Sequence, residues 1–139
     1  VLVTGLATPY HESEGEGTRK NLVYAIEIEG VVLCHLGELQ NPLTSTQIEK
    51  LGDVKIIMAP VTEQATLRAS METISLLEPK VVIPMDFIAG GDDQDDLPQM
   101  LRRFLKEMGV KAWEPQKKLQ INQSNIPDQS QVTILTRQS

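Results

Sequence analysis

Residues 31–60, "VVLCHLGELQNPLTSTQIEKLGDVKIIMAP", alternate the two periods from which α/β folds are built. "VVLCHLG" (31–37) is a run of β-formers ended by glycine. In "NPLTSTQIEKLGDV", a Thr/Ser cap with Gln or Glu downstream and Gly52 after the last turn predict a short helix from about Ser45 to Leu51. "VKIIMAP" (54–60) is then a continuous apolar run, the pattern of a central strand covered on both faces. A strand that stops on Gly37-Glu38 delivers a carboxylate to its carboxyl end, and the question is what that carboxylate meets.

Outward from this unit the pattern continues. "LVYAIEIEG" (22–30) precedes it, and Glu29-Gly30 predicts a tight hairpin into residue 31. Val1 to Leu6 reads as a strand stopped by a Thr8-Pro9 turn, with His11 to Asn21 as a polar, glycine-bearing loop. Downstream, Leu67, Met71 and Ile74 share a stripe, predicting a helix from Thr66, as its cap, to Leu77, stopped by Pro79. "KVVIPMDF" (80–87) is another buried strand, ending on Asp86. "IAGGDDQDD" is an acidic loop without the ligand spacing of an EF-hand or the GK[ST] of a phosphate loop. Leu97 to Met108 traces an amphipathic helix closed by Gly109, and the tail reads as a strand, a turn at Pro127-Asp128 and a last strand over 131–136. The order β, ββ, α, β, α, β, α and a β-rich tail is α/β with a mixed sheet, in a single domain over residues 1–139.

Composition narrows the function classes. Thirteen Lys and Arg against 19 Asp and Glu give a net charge of −6, which opposes nucleic acid and anionic membranes as partners. No apolar run approaches the roughly 20 residues that span a bilayer. The lone Cys34 lies within a strand pattern and reads as a small core residue, and with no signal-peptide pattern at the start a reducing, cytoplasmic location is expected. "VLVTG" opens directly in strand-like sequence without an initiator Met, as expected of a piece of something longer.

Three groups stand at predicted loop or strand ends: His11, Glu38 with its neighbour His35, and Asp86. Imidazole and carboxylate at the carboxyl ends of strands are the donors with which zinc and its neighbours are held, and a bridging carboxylate can keep two ions around a shared, activated water.

Residues 11–61, together with "TLRASMETISLLEPKVVIPMDF" (66–87), resemble the C-terminal half of metallo-β-lactamase-fold hydrolases, in the branch of ascorbate-6-phosphate lactonase. The carrying pattern is "HLG" at 35–37, "LT" at 43–44, Gln47, "LG" at 51–52 and Val54, followed by "PK" at 79–80 and "VIPM" at 82–85. The resemblance implies an αββα sandwich holding one or two ions, commonly zinc or manganese, that activate water for hydrolysis. Of its ligands, His11 corresponds to the loop histidine, Glu38 to the bridging aspartate and Asp86 to the last histidine, while His35 is a neighbour and no ligand. The departures follow from the same comparison. Glutamate at 38 is one methylene, on the order of 1.5 Å, too long against a metal–oxygen tolerance of about 0.2 Å. Aspartate at 86 favours harder ions than imidazole does. Thr62-Glu63 stands where the family has Gly-Gly, and Asn41 where it has a histidine. The family's H-x-H-x-D-H motif belongs to its N-terminal half, and this chain has two histidines in all.

The expectation is a degenerate metallo-β-lactamase-fold protein without hydrolytic activity on its own, its zinc or manganese absent or weakly held. The alternatives are a metal-dependent hydrolase whose other ligands come from a missing N-terminal half or another chain, and a dimerising interaction module. The expected partner is a second copy or that N-terminal half, because an isolated half-sandwich exposes an apolar face.

Overall fold

The computed structural model describes residues 1–10, 19–85 and 98–136. Among them six strands form one sheet in the order in which they occur: β1 (Leu2–Tyr10), β2 (Arg19–Ile28), β3 (Val31–His35), β4 (Val54–Pro60), β5 (Val81–Met85) and β6 (Gln131–Val132). The first three pair antiparallel, and β3 to β6 pair parallel, so the sheet is mixed as the sequence order predicts. The hairpin at Glu29-Gly30 has φ of 50° and 79°, the two positive angles of a turn whose twist matches its strands.

Three helices make the parallel crossovers: α1 (Ser45–Leu51), α2 (Gln64–Leu77) and α3 (Gln99–Glu107). The Thr44 side chain caps α1 by accepting from Gln47 N, and the Gln47 side chain accepts from Thr44 N. Ile48 and Leu51 of α1, Leu67 and Ile74 of α2, and Leu101, Phe104 and Leu105 of α3 all pack into one core with Val23, Ala25, Cys34, Ile57, Ala59 and Val82 of the sheet. Every helix therefore lies on one face. The opposite face is as apolar. Val31, Ile56, Val81 and Ile83 are covered there by Leu119, Ile121, Ile126 and Leu135 of the tail, while Val3, Leu22, Tyr24 and Ile28 on β1 and β2 stay exposed.

Several sequence expectations change. The Thr8-Pro9 turn is strand: β1 runs on to Tyr10 because Thr8 pairs with Asn21 inside the sheet and Pro9 sits on an edge strand, where a missing N–H is tolerated. Arg19 to Asn21 belong to β2 and not to the preceding loop. Helix α2 starts two residues early, with Glu63 as its N-cap and Thr66 inside the first turn, where its hydroxyl accepts from Glu63 N at 3.1 Å. Pro98 precedes α3 instead of lying within it. The tail forms far less sheet than its alternation suggests: β6 is two residues long, and Gln116–Leu135 adds an isolated bridge. Leu119 and Ile121 spend their apolar side chains on covering the sheet, not on extending it.

Candidate functional site

Strand directions define the edge at which chemistry can gather. β1, β3, β4 and β5 run the same way, so Tyr10, His35, Pro60 and Met85 end at one side of the sheet. With strands about 4.8 Å apart, the ends of β1 and β5 each lie roughly 10 Å from that of β3. Glu38 emerges between them and is exposed. His11 and Asp86, the other two expected ligands, lie outside the described residues, so the structure places only Glu38 of the three.

Locally, the chain after β3 is held tightly. Leu36 N donates to Met58 O at 3.1 Å, carrying the β3–β4 pairing one residue past the strand, and the Leu36 side chain is fully buried. Gly37 then turns at φ 64°, and its N–H donates to His35 Nδ1 at 3.1 Å. That bond fixes the acceptor nitrogen of the ring and leaves Nε2 to carry the proton when His35 is neutral. His35 lies in register with Tyr24 and Met58 on the face away from the helices.

The turn's other partner was invisible in the sequence. Asn21, assigned there to a loop, is buried on β2, and its Oδ1 accepts from Glu38 N at 2.8 Å. Its Nδ2 donates to Leu36 O at 2.9 Å and to Thr8 Oγ1 at 3.2 Å. The only signal available was its place two residues before Val23 on a strand pattern that begins earlier than the polar run suggests. At the end of β4, Thr62 and Thr66 hydroxyls meet at 3.0 Å, and Ser70 Oγ donates to Pro60 O at 2.9 Å, so the residues standing where the family has Gly-Gly are tied to the start of α2.

Among the described residues no three His, Cys, Asp or Glu side chains converge as a metal-binding group. Glu38 with a histidine whose Nδ1 is already engaged does not make a zinc site, and no hydrolytic step can be derived from these residues alone. A groove of about 630 Å³ lies elsewhere, on the open face towards the β2–β3 hairpin, floored by Ile26, Leu33 and Met58 and walled by Leu119 and Ile121. It is a property of the uncovered face and not of the edge that carries Glu38.

Cys34 faces the helix side, fully buried among core residues, and burial pushes its thiol from 9.0 up to about 12. The folded chain is expected to resist a thiol reagent at neutral pH and to react once unfolded; fast labelling of the native chain would show that β3 does not pack as described. Because the folded pKa is the higher one, the contribution is complete below 9.0 and is lost as pH rises towards 12, at up to about 1.4 kcal/mol per pH unit.

No helix of the described residues is long and apolar enough to cross a membrane. No curated protein matches the chain. Among solved structures it is similar to a candidate Zn-dependent hydrolase of the metallo-β-lactamase superfamily from Thermotoga maritima, at 26% identity and a TM-score of 0.65. The match takes in 96% of this chain but 64% of that one, so this chain spans under two thirds of its length. The architecture is that of the metallo-β-lactamase fold, in part. The model of the beta-lactamase superfamily domain matches residues 1–86, more than half of the sequence, and the chain belongs to that superfamily.

Proposed function

We propose that this chain is a partial metallo-β-lactamase domain, the half that follows the main metal-binding motif, and that it has no hydrolytic activity by itself. The observation that carries this reading is the one-sided sheet. Among the described residues the three helices cover one face, and the other is apolar and exposed over β1 and β2, the kind of surface on which the second sheet of a sandwich packs. The Thermotoga maritima structure extends well beyond the matched 64%, which leaves room for such a sheet in that protein. In isolation a second copy takes that place; where a first half is present, that half does. The "HLG", "LT" and "VIPM" pattern supports the ascorbate-6-phosphate lactonase branch within the superfamily, and the reduced, buried Cys34 fits a cytoplasmic protein.

Degeneracy of the metal edge is supported by donor chemistry. The chain has two histidines, one of them His35 with Nδ1 engaged, so the imidazole-rich shell of a binuclear hydrolase cannot come from it. A second reading keeps Glu38, with His11 and Asp86, as three ligands awaiting the rest of a shell from another segment, with zinc or manganese as the ion. It is favoured by the exposure of Glu38 on a turn whose N–H donates to buried Asn21.

The purified chain is expected to carry substoichiometric zinc and manganese by elemental analysis and to leave chromogenic phosphodiester, lactone and β-lactam substrates at the buffer rate. Two tightly held ions per chain would overturn the proposal. Sedimentation is expected to show self-association that Leu22→Lys together with Tyr24→Glu abolishes. A well-folded monomer at all concentrations would remove the self-pairing.

A further inference from the structure

Asn21 is a polar residue buried on the helix side of the sheet, in register with Thr8 and two residues from Val23. Its carboxamide is fully used: one N–H goes to Leu36 O, the other to Thr8 Oγ1, and Oδ1 takes Glu38 N–H. Two of these bonds straddle Gly37, so the side chain grips the peptide groups on either side of a residue at φ 64°. A β-carbon at position 37 would collide with Asn21 Oδ1 and with the backbone oxygen of Leu22, at 2.8 Å from the latter. Glycine and asparagine therefore form one device, 16 positions apart in sequence, in which each requires the other's shape.

We propose that Asn21 is a positioning residue for Glu38. It holds the Leu36–Gly37–Glu38 turn in one conformation, so that the Glu38 carboxylate leaves the sheet edge from a fixed backbone. The inference rests on the reading of Glu38 as the residue at the bridging position, and it goes beyond that reading by naming what aims it. A buried asparagine needs partners for stability alone. The placement of two of those bonds around one glycine, immediately before the exposed carboxylate, is what a purely stabilising role leaves unexplained.

The test uses the isotope-labelled full chain, with Mn²⁺ as the metal probe, and compares wild type, Asn21→Ala, the isosteric Asn21→Asp and Glu38→Gln. Asp at 21 keeps the acceptor for Glu38 N–H but loses both donors, the one to Leu36 O included, so both variants lose stability, and the aspartate keeps one of the two bonds that straddle Gly37 while the alanine keeps neither. The Glu38 amide order parameter is expected near 0.85, as in rigid backbone, in wild type, below about 0.6 in Asn21→Ala and between the two in Asn21→Asp, with α2 and β4 unchanged. The Mn²⁺ concentration that half-broadens the Glu38 resonances is expected to rise about tenfold in Asn21→Ala, the loss typical of removing a partner that orients a ligand, and further in Glu38→Gln. An unchanged Glu38 order parameter in Asn21→Ala, or an equal loss in both variants that follows stability alone, overturns the proposal. If order falls as expected but Glu38→Gln leaves Mn²⁺ broadening untouched, the positioning role stands and the ligand reading of Glu38 falls. Asn21→Asp keeps the test decisive should Asn21→Ala fail to fold, since wild-type order at Glu38 in that folded variant, with the bond to Leu36 O gone, would overturn it.

Discussion

Gly37→Ala is expected to destabilise the chain by about 2–5 kcal/mol, read from denaturant midpoints at constant slope. Two costs combine. A non-glycine residue held at positive φ costs about 1–3 kcal/mol, and the added methyl collides with both the Asn21 carboxamide and the Leu22 backbone oxygen, so both must give. Moving the side chain breaks its bonds to Leu36 O and Glu38 N, and the Leu22 oxygen, on a paired strand, stays too close unless the Gly37 turn itself shifts. Gly109→Ala is the control: φ there is 74°, but nothing lies within 4 Å of the added carbon, so only the backbone cost applies. Equal losses at the two positions would show that the close approach at Gly37 carries no energy.

Phe104→Ala is expected to cost about 3–5 kcal/mol, the loss usual for emptying a large buried aromatic site. Phe104 is fully buried on α3 and packs into the same cluster as Leu36, Leu39 and Ile57. It is a principal anchor of α3, whose outer face carries Arg102 and Arg103. A helix of nine residues is marginal without such docking, so its far-ultraviolet signal should weaken before the global transition. A loss below about 1 kcal/mol would mean that α3 does not sit on the sheet as described.

The Glu38 edge explains how much of the candidate site could be read in advance. The address of Glu38 was legible because a run of β-formers, a glycine and a carboxylate are consecutive, and consecutive residues reveal a strand end. Its fixation was not, because Asn21 reaches it only once β2 and β3 are paired, and side-chain hydrogen bonds across 17 positions leave no mark on local pattern. Thr8-Pro9 misled for the same reason: the dipeptide favours a turn locally, and pairing with Asn21 and Lys20 overrides that preference.

By itself the sequence determined the α/β class, the strand–helix–strand core over residues 31–60, the Glu29-Gly30 hairpin and the burial of Cys34, since each rests on propensity, periodicity or turn chemistry within a few residues. Only the tertiary structure decided which sheet face the helices cover, where the tail spends its apolar residues, how long β1 and β2 run, and what holds the Glu38 turn. These depend on contacts between segments far apart in the chain, and the apolar alternation of a strand is identical whether its second face meets helices, a tail or another sheet.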